Sequence, residues 1–365
     1  MRHLLAIKID DDETPSYELL IFDWKSGTLI NRISPASGHG IGDFAFLDKD
    51  RLVLISGLTN ERTTELEAVN LMIYDIYPRL PLSLRHRDSP VGPIFELKHL
   101  ARSHPTITFG FPEIDKQYRF RSLLQLRTGP VPGYATYSKS VGFAYPRVPT
   151  LYLPLTLEDL SGELIDHVKF KIFVDVDRLL RFSENGPFTV PWSTWGAYAT
   201  RWFLGDDRVD SWSRSISGSR YVRIGAGGSL QFPCDQSVFD FNPRTVRHRD
   251  TDHLGTVEFR HKLKDLASHG KRLTTRVLTG SEELRGLVEI IGSDLPTVIT
   301  RGFKAPVIST LPYRAVTKGQ VCWAEGWTID GEHIVGINSM DPELVDTDGD
   351  LEDTPNNIAI YKLRV

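Results

Sequence analysis

Two tracts of this 365-residue chain put metal-ligating side chains close enough together for their chemistry to be tested on paper. His248, Asp250, Asp252 and His253 in "HRDTDH" approximate the His-x-His-x-Asp-His order of metallo-hydrolases, with Asp250 where a histidine would stand. Such a centre needs a buried strand before it, a helix after it and further ligands downstream. Here Arg244, Arg247 and Arg249 crowd the segment with charges that oppose a cation, so a solvated loop is expected. "DTDGDLED", Asp346 to Asp353, offers five carboxylates in eight residues, the hard oxygen ligands that suit calcium. Gly349 precedes the third acid and no glutamate stands at position twelve, so the EF-hand order is missed and an acidic rim loop is expected. No metal and no cofactor is expected at either place.

Nucleophile and phosphate motifs are missing as well. The sequence contains no Gly-x-Ser-x-Gly elbow, no His-Glu-x-x-His, no P-loop and no Cys-x-x-Cys. "SGHGIGDF" places Asp43 where a dinucleotide fingerprint needs glycine, and reads as a turn. What remains is recognition chemistry. Trp192, Trp195, Trp202 and Trp212 are four of the seven tryptophans, and Arg201 sits among them. A tryptophan buries ~150–250 Å², which at ~25 cal/mol/Å² is an upper figure of about 4–6 kcal/mol each. That favours Trp192 and Trp202 as a satellite core packed under a long loop. The opposing reading makes one or two of the tryptophans, with Arg201, an exposed aromatic-arginine anchor for a partner. Arg201, Trp195, Tyr313 and Arg314 are the candidate binding residues; catalytic and metal residues are expected to be none.

These residues must be positioned by strands. "LLIFDWKSGTLINRI", Leu19 to Ile33, reads as a hairpin turning at Lys25-Ser26-Gly27, with strands apolar on both faces. "DFAFL", "RLVLISG" and "LMIYD" follow at short intervals; with the second hairpin arm they make four strands, and Gly38-His39 opens and Tyr74-Asp75 closes the tract that holds the last three. A period of roughly 40–50 residues with four short strands is the signature of a propeller blade. The expected fold is therefore all-β: a β-propeller of four-stranded blades, about seven in number, WD-repeat-like and diverged, with an incomplete N-terminus as one variant. An antiparallel sandwich is the alternative. One short helix is expected, around Val176 to Phe182.

The whole of residues 1–365 is read as a single propeller domain, its first blade shared between residues 3–33 and 325–365, because sharing a blade between the termini removes exposed edges. Chain length agrees, since each blade buries its faces only against its neighbours. The balance of 43 basic and 47 acidic residues, net −4, offers no basic stripe, so nucleic acid is not an expected partner. No run of ~18 apolar residues suggests a membrane helix, and "MRHLLAIKIDDDE" turns acidic before a signal-peptide core forms. An intracellular protein, cytoplasmic or nuclear, is expected, with Cys234 and Cys322 as reduced thiols.

Several tracts resemble the C-terminal propeller-like region of fungal F-box proteins. They are Pro191-Trp192, Trp195-Gly196, Thr200-Arg201-Trp202-Phe203, Phe239-Asp240-Phe241-Asn242-Pro243 and Leu311-Pro312-Tyr313-Arg314, with a late Ile-Asp to Ile-Val-Gly-Ile hairpin near Gly326–Ile337. The resemblance runs from about residue 19 to the C-terminus. In that family an F-box bundle precedes this region, docks on a Skp-type adaptor and recruits bound proteins to a cullin-RING ubiquitin ligase. Here Met1 is followed directly by strand-like "LLAIKI", so the adaptor is an expected partner only if an F-box is encoded upstream. The resemblance implies a non-enzymatic protein-protein interaction module, the substrate-receiving half of such a receptor. The competing class is a propeller-fold hydrolase or lyase with acids and histidines converging on a central channel. No such convergence is visible in the sequence, and a non-enzymatic role is expected.

Overall fold

A computed structural model describes residues 3–9, 18–34, 39–59, 66–77, 102–121, 124–128, 136–137, 144–145, 150–162, 166–182, 188–205, 216–224, 234–247, 275–279, 286–321, 326–329, 333–337 and 358–362. The chain is all-β. Among the described residues the strands form sheets of two to six members, joined by three short helices: α1 (Val176–Leu180), α2 (Trp192–Ala199) and α3 (Pro243–Arg247).

The hairpin forms as the sequence dictates, between Glu18–Asp23 and Thr28–Ile33. Gly27 takes φ +68°, a left-handed conformation that glycine adopts without a Cβ penalty. The carboxylate of Asp23 accepts from the backbone N–H groups of Lys25 and Ser26 and so fixes the turn. Leu4–Ile9 pairs with the first arm to complete a three-stranded sheet. The next three strands, His39–Phe46, Arg51–Thr59 and Leu66–Asp75, form a meander in a different sheet, so hairpin and meander are not one four-stranded unit. Ile107–Gly110 extends that sheet antiparallel, and Phe188–Val190 joins it in parallel.

A third sheet is built on the ten-residue pair Thr150–Asp159 and Asp166–Asp175, flanked by Thr200–Leu204, Tyr118–Phe120 and Arg127–Thr128. The six-stranded sheet runs Ile216–Ser217, Arg220–Ile224, Cys234–Asp240, Tyr313–Val321, Gly286–Ile291, Thr275–Thr279. Gly326–Ile329, His333–Ile337 and Ile358–Lys362 form a last three-stranded sheet, whose first strand lies beside Arg220–Ile224.

Strand periodicity explains how these sheets stack. On Arg51–Thr59, Leu52 and Leu54 face the N-terminal sheet with Leu19, Ile21 and Ile33, while Val53 and Ile55 face the other way. There they meet Leu151, Leu153, Leu155 and Leu157 of the third sheet, in the largest core among the described residues. On Asp166–Asp175 the even positions Val168, Phe170, Ile172 and Val174 point into that same core, and Phe173 points out of its far side. Together with Tyr152 it meets Tyr221, Phe239 and Phe241 in a separate aromatic layer against the six-stranded sheet. Successive sheets thus pack face to face in chain order, and strands apolar on both faces are the direct result.

No closed ring of four-stranded blades is present among the described residues. The terminal segments form two separate three-stranded sheets with no ladder between them there. The short helix is found as α1, its N-terminus capped by the Asp175 carboxylate, which accepts from the Arg178 N–H at 3.1 Å. Residues 124–126 are irregular. No helix among the described residues is long and apolar enough to cross a membrane.

Candidate functional site

The tryptophan segment is a helix followed at once by a strand. Pro191 sits at the N-cap of α2 in extended geometry, where its missing N–H costs nothing, and Thr200 at the far end is again extended. Trp192, Trp195 and Ala199 share one helix face. Gly196 is needed because a Cβ there would lie 2.3 Å from the Trp192 ring. Trp195 is fully buried and donates its indole N–H to the Gly110 carbonyl at 2.9 Å. Trp202 is also fully buried, edge-on to Phe170, Phe303 and Trp192 at centroid distances of 5.7, 5.4 and 5.5 Å. These rings belong to the largest core rather than to a satellite beneath a loop. Trp212 lies outside the described residues.

Alternation along Thr200–Leu204 sends Trp202 to one side and Arg201 and Phe203 to the other. Arg201 is 1% exposed, so it is a packed group and not a displayed contact. Its guanidinium donates through Nε to the Leu311 carbonyl at 2.7 Å and through Nη1 to the Leu295 carbonyl at 2.8 Å and Thr297 Oγ1 at 3.1 Å. Nη2 reaches the Gly292 carbonyl at 3.3 Å. The cation lies 5.2 Å from the centre of the Tyr313 ring. Burial pushes its pKa down to about 10, which still leaves it charged at neutral pH. Burial likewise raises the Tyr313 phenol, and the neighbouring Arg201 charge offsets part of that rise. Tyr313 and Arg314 are half-buried; Arg314 lies on the central strand of its sheet, between Asp240 and Ile290.

The tracts that carry the family resemblance converge here. Phe203, Phe239 and Tyr313 stand 5.4 to 5.6 Å apart, one from each tract. Phe241 stacks on Phe173 at 4.6 Å. Asp240 supports this layer from behind: it accepts from the Ser219 hydroxyl at 2.7 Å and the Asn242 N–H at 3.0 Å, with Arg220 Nε 3.5 Å away.

At its edge the layer opens to solvent in a shallow hollow with room for about one water molecule. Phe173, Phe203, Tyr221 and Phe239 line it, with Lys171 and Arg223. Leu204 completes the lining and is 58% exposed. Lys171 Nζ stands 5.8 Å from the centre of the Tyr221 ring, in cation–π range. Sequence inspection singled out Phe203, Phe239 and Tyr313 within their tracts but missed Lys171, Phe173, Tyr221 and Arg223. The one signal was an odd-even pattern on "HVKFKIFVDV" that leaves Lys171 and Phe173 on the face opposite to Phe170 and Ile172.

The layer is held together by dispersion, ring stacking and cation–π contact. Both acidic metal-like tracts, His248 to His253 and Asp346 to Asp353, lie outside the described residues, as does Cys322. Among the described residues no group of three or more His, Cys, Asp or Glu is arranged to hold an ion. No protein-family model matches the chain, and no curated protein matches it either.

Proposed function

We propose that this chain is a non-enzymatic protein-interaction module of the type resembled by the substrate-receiving region of fungal F-box proteins. Its architecture in this reading is a diverged propeller whose blades are the face-packed sheets described above. Stacking in chain order, each sheet covered by its neighbours, is what supports the propeller. The observation that carries the function is the 58% exposed Leu204 beside the half-buried Phe203 and Arg223, at the rim of the shallow hollow where the aromatic layer reaches the surface. Aromatic surface next to cationic side chains is the composition of protein-protein hot spots.

The test is affinity capture from the source cells with the parent protein, Leu204→Glu and Arg223→Glu, scored by quantitative mass spectrometry beside melting curves of each variant. Leu204→Glu acts on an exposed side chain, so the fold should survive. A defined set of proteins should be captured by the parent and lost from both variants at unchanged melting temperature. A capture profile identical in parent and variants would overturn the assignment of the hollow.

A further inference from the structure

The hairpin of Thr297–Ile299 and Val307–Ser309 is fastened differently at its two ends. Its root is held by interior bonds. The Trp202 N–H donates to Ser309 Oγ at 3.0 Å, the Thr310 N–H to the Ala197 carbonyl at 2.8 Å, and Arg201 to Thr297 Oγ1 at 3.1 Å, with Ser309 and Leu311 fully buried. The tip, residues 300–306, is held at the surface. Arg301 donates through Nη2 to Asp166 at 2.6 Å and Asp159 at 3.1 Å, and through Nε to the Tyr118 hydroxyl at 3.3 Å. Lys304 Nζ reaches the Glu113 carboxylate at 2.6 Å. Both cations are about half exposed. Between them Phe303 is buried, 5.4 Å from the ring centres of both Phe170 and Trp202. Gly302 lets the tip lie this close: its φ is +94°, and a Cβ there would stand 2.8 Å from Leu157 Cδ1.

Backbone bonds join the tip to the segment beneath it around one bridge, Ile114 to Phe303. The Lys304 N–H donates to the Glu113 carbonyl at 3.0 Å and the Asp115 N–H to the Gly302 carbonyl at 3.1 Å. Exposed ion pairs contribute little each and weaken as salt screens them. The root bonds, buried, are spared that screening. Local opening draws on segments held in the first way rather than the second. We propose that residues 300–306 are a salt-latched plug. The tip swings out as one unit about the strand ends at Ile299 and Val307, with Arg301 as the latch. The swing withdraws Phe303 from the pocket that Phe170 and Trp202 make, and a pocket filled by one aromatic ring is thereby opened to solvent while the sheets on either side stay folded.

Hydrogen exchange of the full chain at low and high salt tests this, read by mass on peptides spanning residues 111–118 and 300–306. The Asp115 and Lys304 amides should exchange faster than those of the Thr150–Asp159 strand, and added salt should speed the tip while leaving that strand unchanged. Arg301→Gln, at an exposed position, should speed both tip amides roughly threefold or more at low salt and weaken their salt response, with the melting temperature unchanged. A Glu113→Cys, Lys304→Cys double variant supplies a lock. These positions oppose each other across the bridge, where bonded antiparallel residues have Cα atoms ~5.5 Å apart, within the ~4.4–6.8 Å that a disulfide spans. Oxidation should slow the Asp115 amide to the rate of the core strand, and reduction should restore its exchange. Tip amides that exchange no faster than the core strand in the parent, or rates that neither salt nor Arg301→Gln changes, would overturn the proposal.

Discussion

Replacing Arg201 with methionine separates a side chain that holds the fold from one that holds a partner. Methionine keeps most of the length and fills the site without the guanidinium, so loss of volume contributes little. The acceptors remain: the carbonyls of Gly292, Leu295 and Leu311 and the Thr297 hydroxyl all lose their charged donor. A hydrogen bond to a charged group contributes ~1.5–3 kcal/mol net. Counting only the two short bonds, at 2.7 and 2.8 Å, gives about 3–6 kcal/mol of destabilisation. That is a large share of the ~5–15 kcal/mol by which domains are usually stable. Arg201→Lys should fall between parent and methionine, because one ammonium cannot span three carbonyls that a planar fork reaches together. Thermal melting followed by circular dichroism, backed by urea titration, is the assay. If the methionine variant melts within ~2 °C of the parent, the loss is under about 1 kcal/mol and Arg201 does not carry the load assigned to it.

Trp202→Ala should cost ~3–5 kcal/mol, since its ring is fully buried against Phe170, Phe303 and Trp192; chemical denaturation reads this directly, and a change under ~1 kcal/mol would contradict the packing. Glu18 gives a pH signature. Its hydrogen bond from Arg32 holds the carboxyl below its usual range, so its stabilising contribution is present above the unfolded value of ~4.3 and fades as pH falls through the folded value. Glu18→Gln should accordingly be less stable than the parent at pH 7 and converge on it under acid conditions; a constant gap across the titration would refute the linkage.

Where information is local, the sequence is readable. The Lys25-Ser26-Gly27 turn, the doubly covered strands around Val53 and Leu54 and the short helix at Val176–Leu180 all follow from neighbours within a few residues. The Trp192–Ala199 helix was not legible, because aromatic residues have low helix propensity and no side chain caps its start. Arg201 misled for a different reason. A charge beside tryptophans looks like a binding anchor, and only the carbonyls of residues 292, 295 and 311 turn it into an interior group. How the strands group into sheets was not legible for the same reason: the strands exist, but Phe188–Val190 returns to pair with Ile107–Gly110 in parallel, a distant choice that spacing does not encode.

The bonds that tie the tryptophan segment in place also set a clock. Trp195 reaches back 85 residues to Gly110, whereas Arg201 reaches forward 110 residues to Leu311. At a synthesis rate of ~5–20 residues per second, those 110 residues take roughly 5–22 s to appear. Through that interval the nascent chain can assemble the N-terminal sheets and the helix, while the aromatic layer around Arg201 still lacks its far wall. Contacts of such long range also slow folding from the denatured state. The rings of Phe203 and Phe239 then wait for their Tyr313 neighbour until the strand that begins there is made.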